Sequence, residues 1–274
     1  MLLLPRRKLH SYEYLHVQLC YLTNVFHNLT VPMKKLLPSA LLLYFFATIA
    51  VAQVTKKTIE LPEFKAIYVN SNYNVYVKQT NKQEVSVEAL TEIFEVTEIK
   101  VENGILMINM ERKPENPNKS IWAKIDDIKL NPSMNIYVSM KNIIELQVNG
   151  GGKIVSENSI ASNNIILGVN GNGSMDIDLK GETIKAEVSG SGSMALRGYA
   201  TSIDALLSGA GNLNAFNCAL ENAQVKISGA GICELNVSNN IDALVMGSGQ
   251  VKHKGNTKTT QKRVYGSGTV ARAY

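Results

Sequence analysis

The chain has 274 residues, 45% of them apolar, which is enough for one or two domains with a sizeable buried core. Its formal charge of +5 is gathered at the start: before Gln53, Arg6, Arg7, Lys8, Lys34 and Lys35 face only Glu13, and 23 basic residues then stand against 22 acidic ones. That balance excludes nucleic acid as a partner, because holding phosphates needs a basic surplus on one face.

Residues 1–32 share no period with anything downstream and hold three of the four histidines, His10, His16 and His27. They precede a well-formed secretory start. Met33-Lys34-Lys35 is basic, Leu36 to Ile49 is apolar, and Ala50-Val51-Ala52 is a small-residue cleavage site before Gln53. The apolar run is 14 residues long with Pro38 near its beginning, whereas crossing a bilayer takes about 20. The expectation is therefore an upstream extension over 1–32, a true start at Met33 and a signal peptide over 33–52. Cleavage between Ala52 and Gln53 would leave a protein that is secreted or held in the periplasm or cell envelope. The competing reading makes the first residues a cytoplasmic tail and Leu36 to Ala52 an anchor. No cysteine stands at the cleavage point to take a lipid.

From 53 to 140 the pattern is β but irregular. Val69 to Val77 alternates, and Val85, Val87 and Ala89 continue the alternation. Asn103-Gly104 lies between VTEIKVE and ILMINM, a strong hairpin signal. Arg112 to Lys119, with Pro114 and Pro117, reads as a loop, and Trp122, the only tryptophan, follows it. This region is expected to supply the first, irregular coils and a cap, since a bare solenoid end exposes unpaired backbone.

From 141 to 274 a short phrase returns seven times: VNGGG, VNGNG, VSGSG, LSGAG, ISGAG, VMGSG and VYGSG. The first glycines are Gly150, Gly171, Gly190, Gly209, Gly229, Gly247 and Gly266, separated by 21, 19, 19, 20, 18 and 19 residues. Two positions before each glycine stand Val148, Val169, Val188, Leu207, Ile227, Val245 and Val264. Four positions after it stand Ile154, Met175, Met194, Leu213, Cys233, Val251 and Val270. Six before come Ile144, Ile165, Ile184, Ile203, Ala223 and Ile241, with Thr260 breaking the rule. All of these offsets are even, so alternate residues of two strands face one interior.

A unit of about 19 residues cannot make a core alone. Stacked on its neighbours at roughly 4.8 Å per strand, it buries a continuous apolar column. The fold expected is all-β, a parallel β-helix (solenoid) of strand, Gly-x-Gly bend, strand and return turn. The seven glycines are structural bend positions, where a Cβ would be forbidden. A phosphate-cradling loop would instead occur once, between a strand and a helix.

The V-S-G-S-G and I-S-G-A-G phrases at this period resemble the putative auto-transporter adhesin, head GIN domain family. Phe64 to Val69 and the passage VSMKNIIELQVNGGGKI, Val138 to Ile154, are similar to its lead-in segments. The resemblance spans about 64–249. It departs at Ser71-Asn72-Tyr73, where an early Gly-x-Gly is expected, and at Lys141, where proline is expected. It implies a right-handed, pectin-lyase-like β-helix without recognised catalytic residues, and a role in cell adhesion.

The chemistry-bearing residues are few. Downstream of the signal there is one histidine, His253, at an offset filled elsewhere by Ile177, Leu196 and Leu235, and two cysteines, Cys218 and Cys233. A triad needs a base held by an acid, and a zinc site needs three or four clustered ligands; neither set is present, so no catalytic, metal or cofactor residues are expected. Cys233 belongs in the core column and Cys218 near a return turn, which argues against a disulfide. Polysaccharide-degrading enzymes on such scaffolds need clustered carboxylates. The outward positions five before and five after each glycine place no two in neighbouring coils; Asp176 and Asp178 share one strand face, with Lys180 and Arg197 close. A calcium β-roll would need the Asp176 position repeated as Asp, and it is not.

What remains is surface recognition, with Tyr68, Tyr76, Trp122 and Tyr137 as the candidate residues and a cell-surface glycan or protein as the ligand. The reading is a non-enzymatic adhesin-like protein. The alternatives are an envelope carbohydrate-binding module and, behind it, a polysaccharide-degrading enzyme. At the C-terminal coil, Tyr265 and Tyr274 suggest docking of another copy, while Arg272 and five further cations suggest a guarded edge.

Overall fold

The computed structural model describes residues 54–90, 97–110 and 134–273. The chain divides at Val51 and Ala52 into two units, and every described residue belongs to the second. The extension, the signal peptide and Trp122 lie outside the described residues.

Regular structure among the described residues is all strand. The repeats begin with β8 (Glu145–Gly150) and β9 (Lys153–Ser156), the limbs on either side of the first Gly-x-Gly bend. Next come β10 (Ile160–Gly171), β11 (Ser174–Gly190), β12 (Ser193–Gly209), β13 (Asn212–Gly229) and β14 (Ile232–Gly247). From β11 to β14, each long strand carries the trailing limb of one coil, a return corner and the leading limb of the next. In β11 the in-out alternation slips at the corner, Lys180 to Thr183, where Glu182 drops out of the pairing register. Coils stack in parallel with like residues aligned: Met175 pairs with Met194, Val188 with Leu207 and Gly190 with Gly209. The column ends with β15 (Gln250–Lys254), β16 (Thr259–Tyr265) and β17 (Thr269–Arg272).

The expected columns form one core. Val148, Val169, Val188, Leu207, Ile227 and Val245 are buried on the leading limb, and Ile154, Met175, Met194, Leu213, Cys233 and Val251 on the trailing limb. A third inward line, four before the glycine, holds Leu146, Leu167, Ala186, Ala205, Val225 and Ala243. Burying each Val, Leu or Ile side chain stabilises by about 1.5–3 kcal/mol.

Two inward assignments fail. Val264, on the end strand β16, is 37% exposed. Ile144 points out, 48% exposed, and Ile143 is buried instead. Strand β8 begins only at Glu145, so Ile144 still belongs to the incoming loop, and alternation is a property of strands. Its backbone is in the ladder all the same: Ile144 N–H donates to Lys65 O, and Ile144 O accepts from Ile166 N–H.

The N-terminal region builds the other end of the column, out of chain order. Strands β2 (Ala66–Asn70) and β3 (Asn74–Gln79) lie parallel to β8 and β9, so they form the coil beneath the first glycine repeat. Ser71-Asn72-Tyr73 makes their bend: a Cβ on Gly152 would sit 2.6 Å from Ser71 O and 2.9 Å from Tyr73 O. Beyond this coil lie β6 (Ile105–Met110) and β7 (Asn135–Met140), later in sequence yet further out in space, parallel to β2 and β3. Antiparallel strands then close the end. Strand β5 (Thr97–Glu102) pairs with β6, while β4 (Glu84–Leu90) pairs with β7 and β1 (Val54–Ile59) with β4. The β5–β6 hairpin turns at Asn103-Gly104, both at positive φ (51° and 76°), as a two-residue turn of that sequence requires.

Candidate functional site

Three outward features run along the column, each made by stacking equivalent positions of successive coils. The first lies just before the bends. Asn70 donates to Asn109 at 2.7 Å, Asn149 to Asn70 at 2.8 Å and Asn170 to Asn149 at 2.9 Å, and Asn109 itself donates to Glu98 at 3.1 Å. Asn109, Asn70 and Asn149 each give one bond and take one, which satisfies both ends of a half-buried side chain, while the exposed Asn170 only gives. Ser189, Ser208 and Ser228 continue the line, and Met246 and Tyr265 end it.

The second feature is on the trailing limb and contains two of the aromatic candidates. Tyr76 and Tyr137 are cross-coil partners, stacked with centroids 5.2 Å apart and planes 18° off parallel. The Lys56 ammonium lies 5.4 Å from the Tyr137 ring centre. Burial, then the Glu88 carboxylate, raises the Tyr137 phenol above its ordinary value. Tyr68 stands apart from this pair, on the leading limb, where its hydroxyl donates to Glu145 Oε1 at 2.8 Å; that bond is the first cause of its raised pKa. Tyr73, which sequence reasoning did not single out, is buried at the bend and shares a 2.9 Å bond with Thr97. Burial raises its phenol as well.

The third feature went unseen in the sequence. On the outer face of the leading limb, near the return corner, a groove of about 560 Å³ crosses five successive leading limbs. One wall is a line of short polar side chains, Thr183, Ser202, Asn222, Asn240 and Thr259; the other is Asp204, Gln224, Asp242 and Gln261. A second hollow of about 240 Å³ adjoins it, sharing Asp204, Gln224 and Asp242 and adding Lys185, Glu187 and Leu206 with Lys226, Leu244 and Arg263. Inspecting the five-before offset for paired acids finds Asp204 and Asp242 but not the hollow, which depends on how the corner places the short residues beside them.

Metal and nucleophilic chemistry have little to work with. No group of three or more His, Cys, Asp or Glu residues is placed to hold a metal among the described residues. Cys218 and Cys233 are free and buried. Burial, aided by Asp178, pushes the Cys218 thiol up to about 11, and burial raises Cys233 further. His253 is buried beside Leu235 and Arg272, its Nδ1 3.4 Å from Thr257 Oγ1, and no acid among the described residues holds it. Three of the outward acids are spoken for: Asp176 pairs with Arg197, Glu234 with Lys252, and Asp242 accepts two bonds from Arg263 at 2.8 and 3.0 Å. The end coil is open, with every residue of β16 exposed and Arg272 donating to Gly255 O at 3.2 Å.

The model of one protein family, putative auto-transporter adhesin, head GIN domain, matches residues 63–257. The chain belongs to this family. The match begins in the lead-in to β2 and ends just after β15, so head GIN describes nearly the whole column. Solved structures share the fold at low identity. A putative adhesin from Bacteroides fragilis is 22% identical with a TM-score of 0.69, covering 81% of this chain and 97% of its own. A putative adhesin from Parabacteroides distasonis is 20% identical with a TM-score of 0.64, covering 81% and 98%. A structure from the same species named putative lipid binding protein is 19% identical with a TM-score of 0.65, covering 82% and 98%. No curated protein matches.

Proposed function

We propose that this head GIN protein is a non-catalytic recognition protein of the cell envelope, exported through its signal peptide and binding a surface glycan or protein along its column. The observation that carries the reading is the groove, a site repeated across five leading limbs rather than a single constellation. Catalysis on a polysaccharide needs two working carboxylates. The groove holds Asp204 and Asp242 two coils apart, and Arg263 engages both oxygens of Asp242, leaving one carboxylate unengaged. The family and its adhesin-named structural relatives support the same reading.

The test is direct. Protein recovered from the envelope or medium is applied to an array of glycans and matrix proteins, and bound polysaccharides are assayed for new reducing ends. Retention without cleavage is expected; new reducing ends would replace the reading with an enzyme.

An envelope carbohydrate-binding module is the second reading, favoured by the hydroxyls and amides of the groove. Self-association through the open end coil is a separate proposal, supported by Tyr265, 66% exposed on β16. Light scattering across a concentration series tests it, and a mass that stays monomeric for both the wild type and Tyr265→Glu would reject it.

A further inference from the structure

We infer that the groove of the leading limb is a binding site for a linear, uncharged polysaccharide lying along the column axis. The inference rests on the recognition reading above and names the chemistry of its ligand.

Size and shape come first. Thr183 to Thr259 covers five leading limbs, and four steps of about 4.8 Å make a site roughly 19 Å long. Its volume of about 560 Å³ is in the range of binding clefts. A chain of pyranose units repeats at close to the coil spacing, so successive sugars meet successive coils in the same way.

Charge and polarity then select the class. The ionisable residues of the two hollows are Asp204, Asp242 and Glu187 against Lys185, Lys226 and Arg263, a balance that gives a polyanion no surplus to bind. Only Leu206 and Leu244 are apolar side chains on the outward wall, with Lys226 on the coil between them, too little for a lipid chain. An extended peptide would want backbone partners, and stacking consumes those on both sides of every groove strand but the last.

A neutral polyol needs what the groove has, which is side chains that both donate and accept. Thr183, Ser202, Asn222 and Asn240 do both, and the side chains of Asp204 and Gln224 make no hydrogen bond among the described residues, so both are available to sugar hydroxyls. Leu206 and Leu244 offer contact to the C–H faces of the rings.

The experiment uses the exported protein in affinity electrophoresis with xylan, glucomannan, β-glucan and dextran, and with polygalacturonate and alginate as charged counterparts. Calorimetry with oligosaccharides of rising length follows. Retention by a neutral polymer is expected, with affinity that grows with chain length and levels off near about five units, one per coil. Asp204→Ala with Gln224→Ala should weaken binding about tenfold, the loss of one or two net hydrogen bonds. Gln224→Arg, which lays a guanidinium between Asp204 and Asp242, should close the groove. Asn214→Ala on the trailing limb is the control, and circular dichroism checks that each variant is folded. Retention by charged polymers alone, or neutral binding that ignores the groove variants, overturns the inference. If no neutral polymer is held while the protein still binds cells, the groove assignment falls and the recognition reading stands; if neither binds, both fall.

Discussion

Gly190 stacks on Gly171 so closely that a Cβ on Gly190 would lie 2.7 Å from the Gly171 carbonyl oxygen. Its φ of 103° would strain any side chain even in open space. Gly104, in the β5–β6 turn, has a positive φ of 76° but nothing within 4 Å. The pair separates the two causes. Gly104→Ala should cost about 1–2 kcal/mol, from the backbone alone. Gly190→Ala should cost more, by about 1–3 kcal/mol, because the coils must part. Urea melts of the two variants measure this, and equal losses would mean that close stacking contributes nothing.

Neighbouring residues on β12 test the register. Met194 is buried and pairs with Met175 and Leu213, while Ala195 faces outward between Asp176 and Asn214. Met194→Asp should abolish folding, since an unpaired buried charge is disfavoured by several kcal/mol. Ala195→Lys should be tolerated to within about 0.5 kcal/mol, as surface changes usually are. Similar melting curves for the two variants would refute the in-out assignment.

Much of this architecture was legible because a solenoid writes its cross-section once per coil. Val188, Leu207 and Ile227 occupy one offset and one column, so the sequence period is the structural period. Legibility fails where that equivalence fails. Strands β6 and β7 lie outside β2 and β3 although they follow them in the chain, and no local pattern encodes that order. Ile144 misleads because it keeps the repeat's spacing but stands one residue before its strand begins. Tyr68 and Tyr76 alternate outward beside Val69 and Val75, but alternation does not say which limb faces which way. Tyr68 and Tyr76 are eight residues apart and on different limbs. The groove was hidden for another reason: concavity belongs to several coils and a corner together, and no single offset records it.

Export is tested at the terminus. The apolar run from Leu36 to Ile49, followed by Ala50-Val51-Ala52, predicts cleavage before Gln53. Terminal sequencing of the envelope or secreted protein should read Gln-Val-Thr-Lys, allowing for cyclisation of the glutamine. Peptides from residues before Met33 in that material would contradict both the start site and the signal.

The last prediction concerns pH. His253 continues the inward line of Leu235, and on its other side stands Arg272. Burial chiefly, and then the Arg272 charge, lower its pKa below the ordinary 6.5. The folded protein therefore holds a neutral imidazole at a pH where the unfolded chain would already bind a proton. In that window the unfolded state carries more protons, so stability rises with pH. The contribution is complete above about pH 6.5, erodes as the pH falls below that value, and levels off beneath the folded pKa. His253→Leu places the residue of the neighbouring coil in the same slot and removes the titration. Urea denaturation at about pH 8 and about pH 5 should show a smaller difference between the two conditions for this variant than for the wild type. Arg272→Gln should reduce the difference only in part, because burial is the larger cause. If the wild type and His253→Leu lose the same stability on acidification, the acid response comes from carboxylates elsewhere and His253 has no part in it.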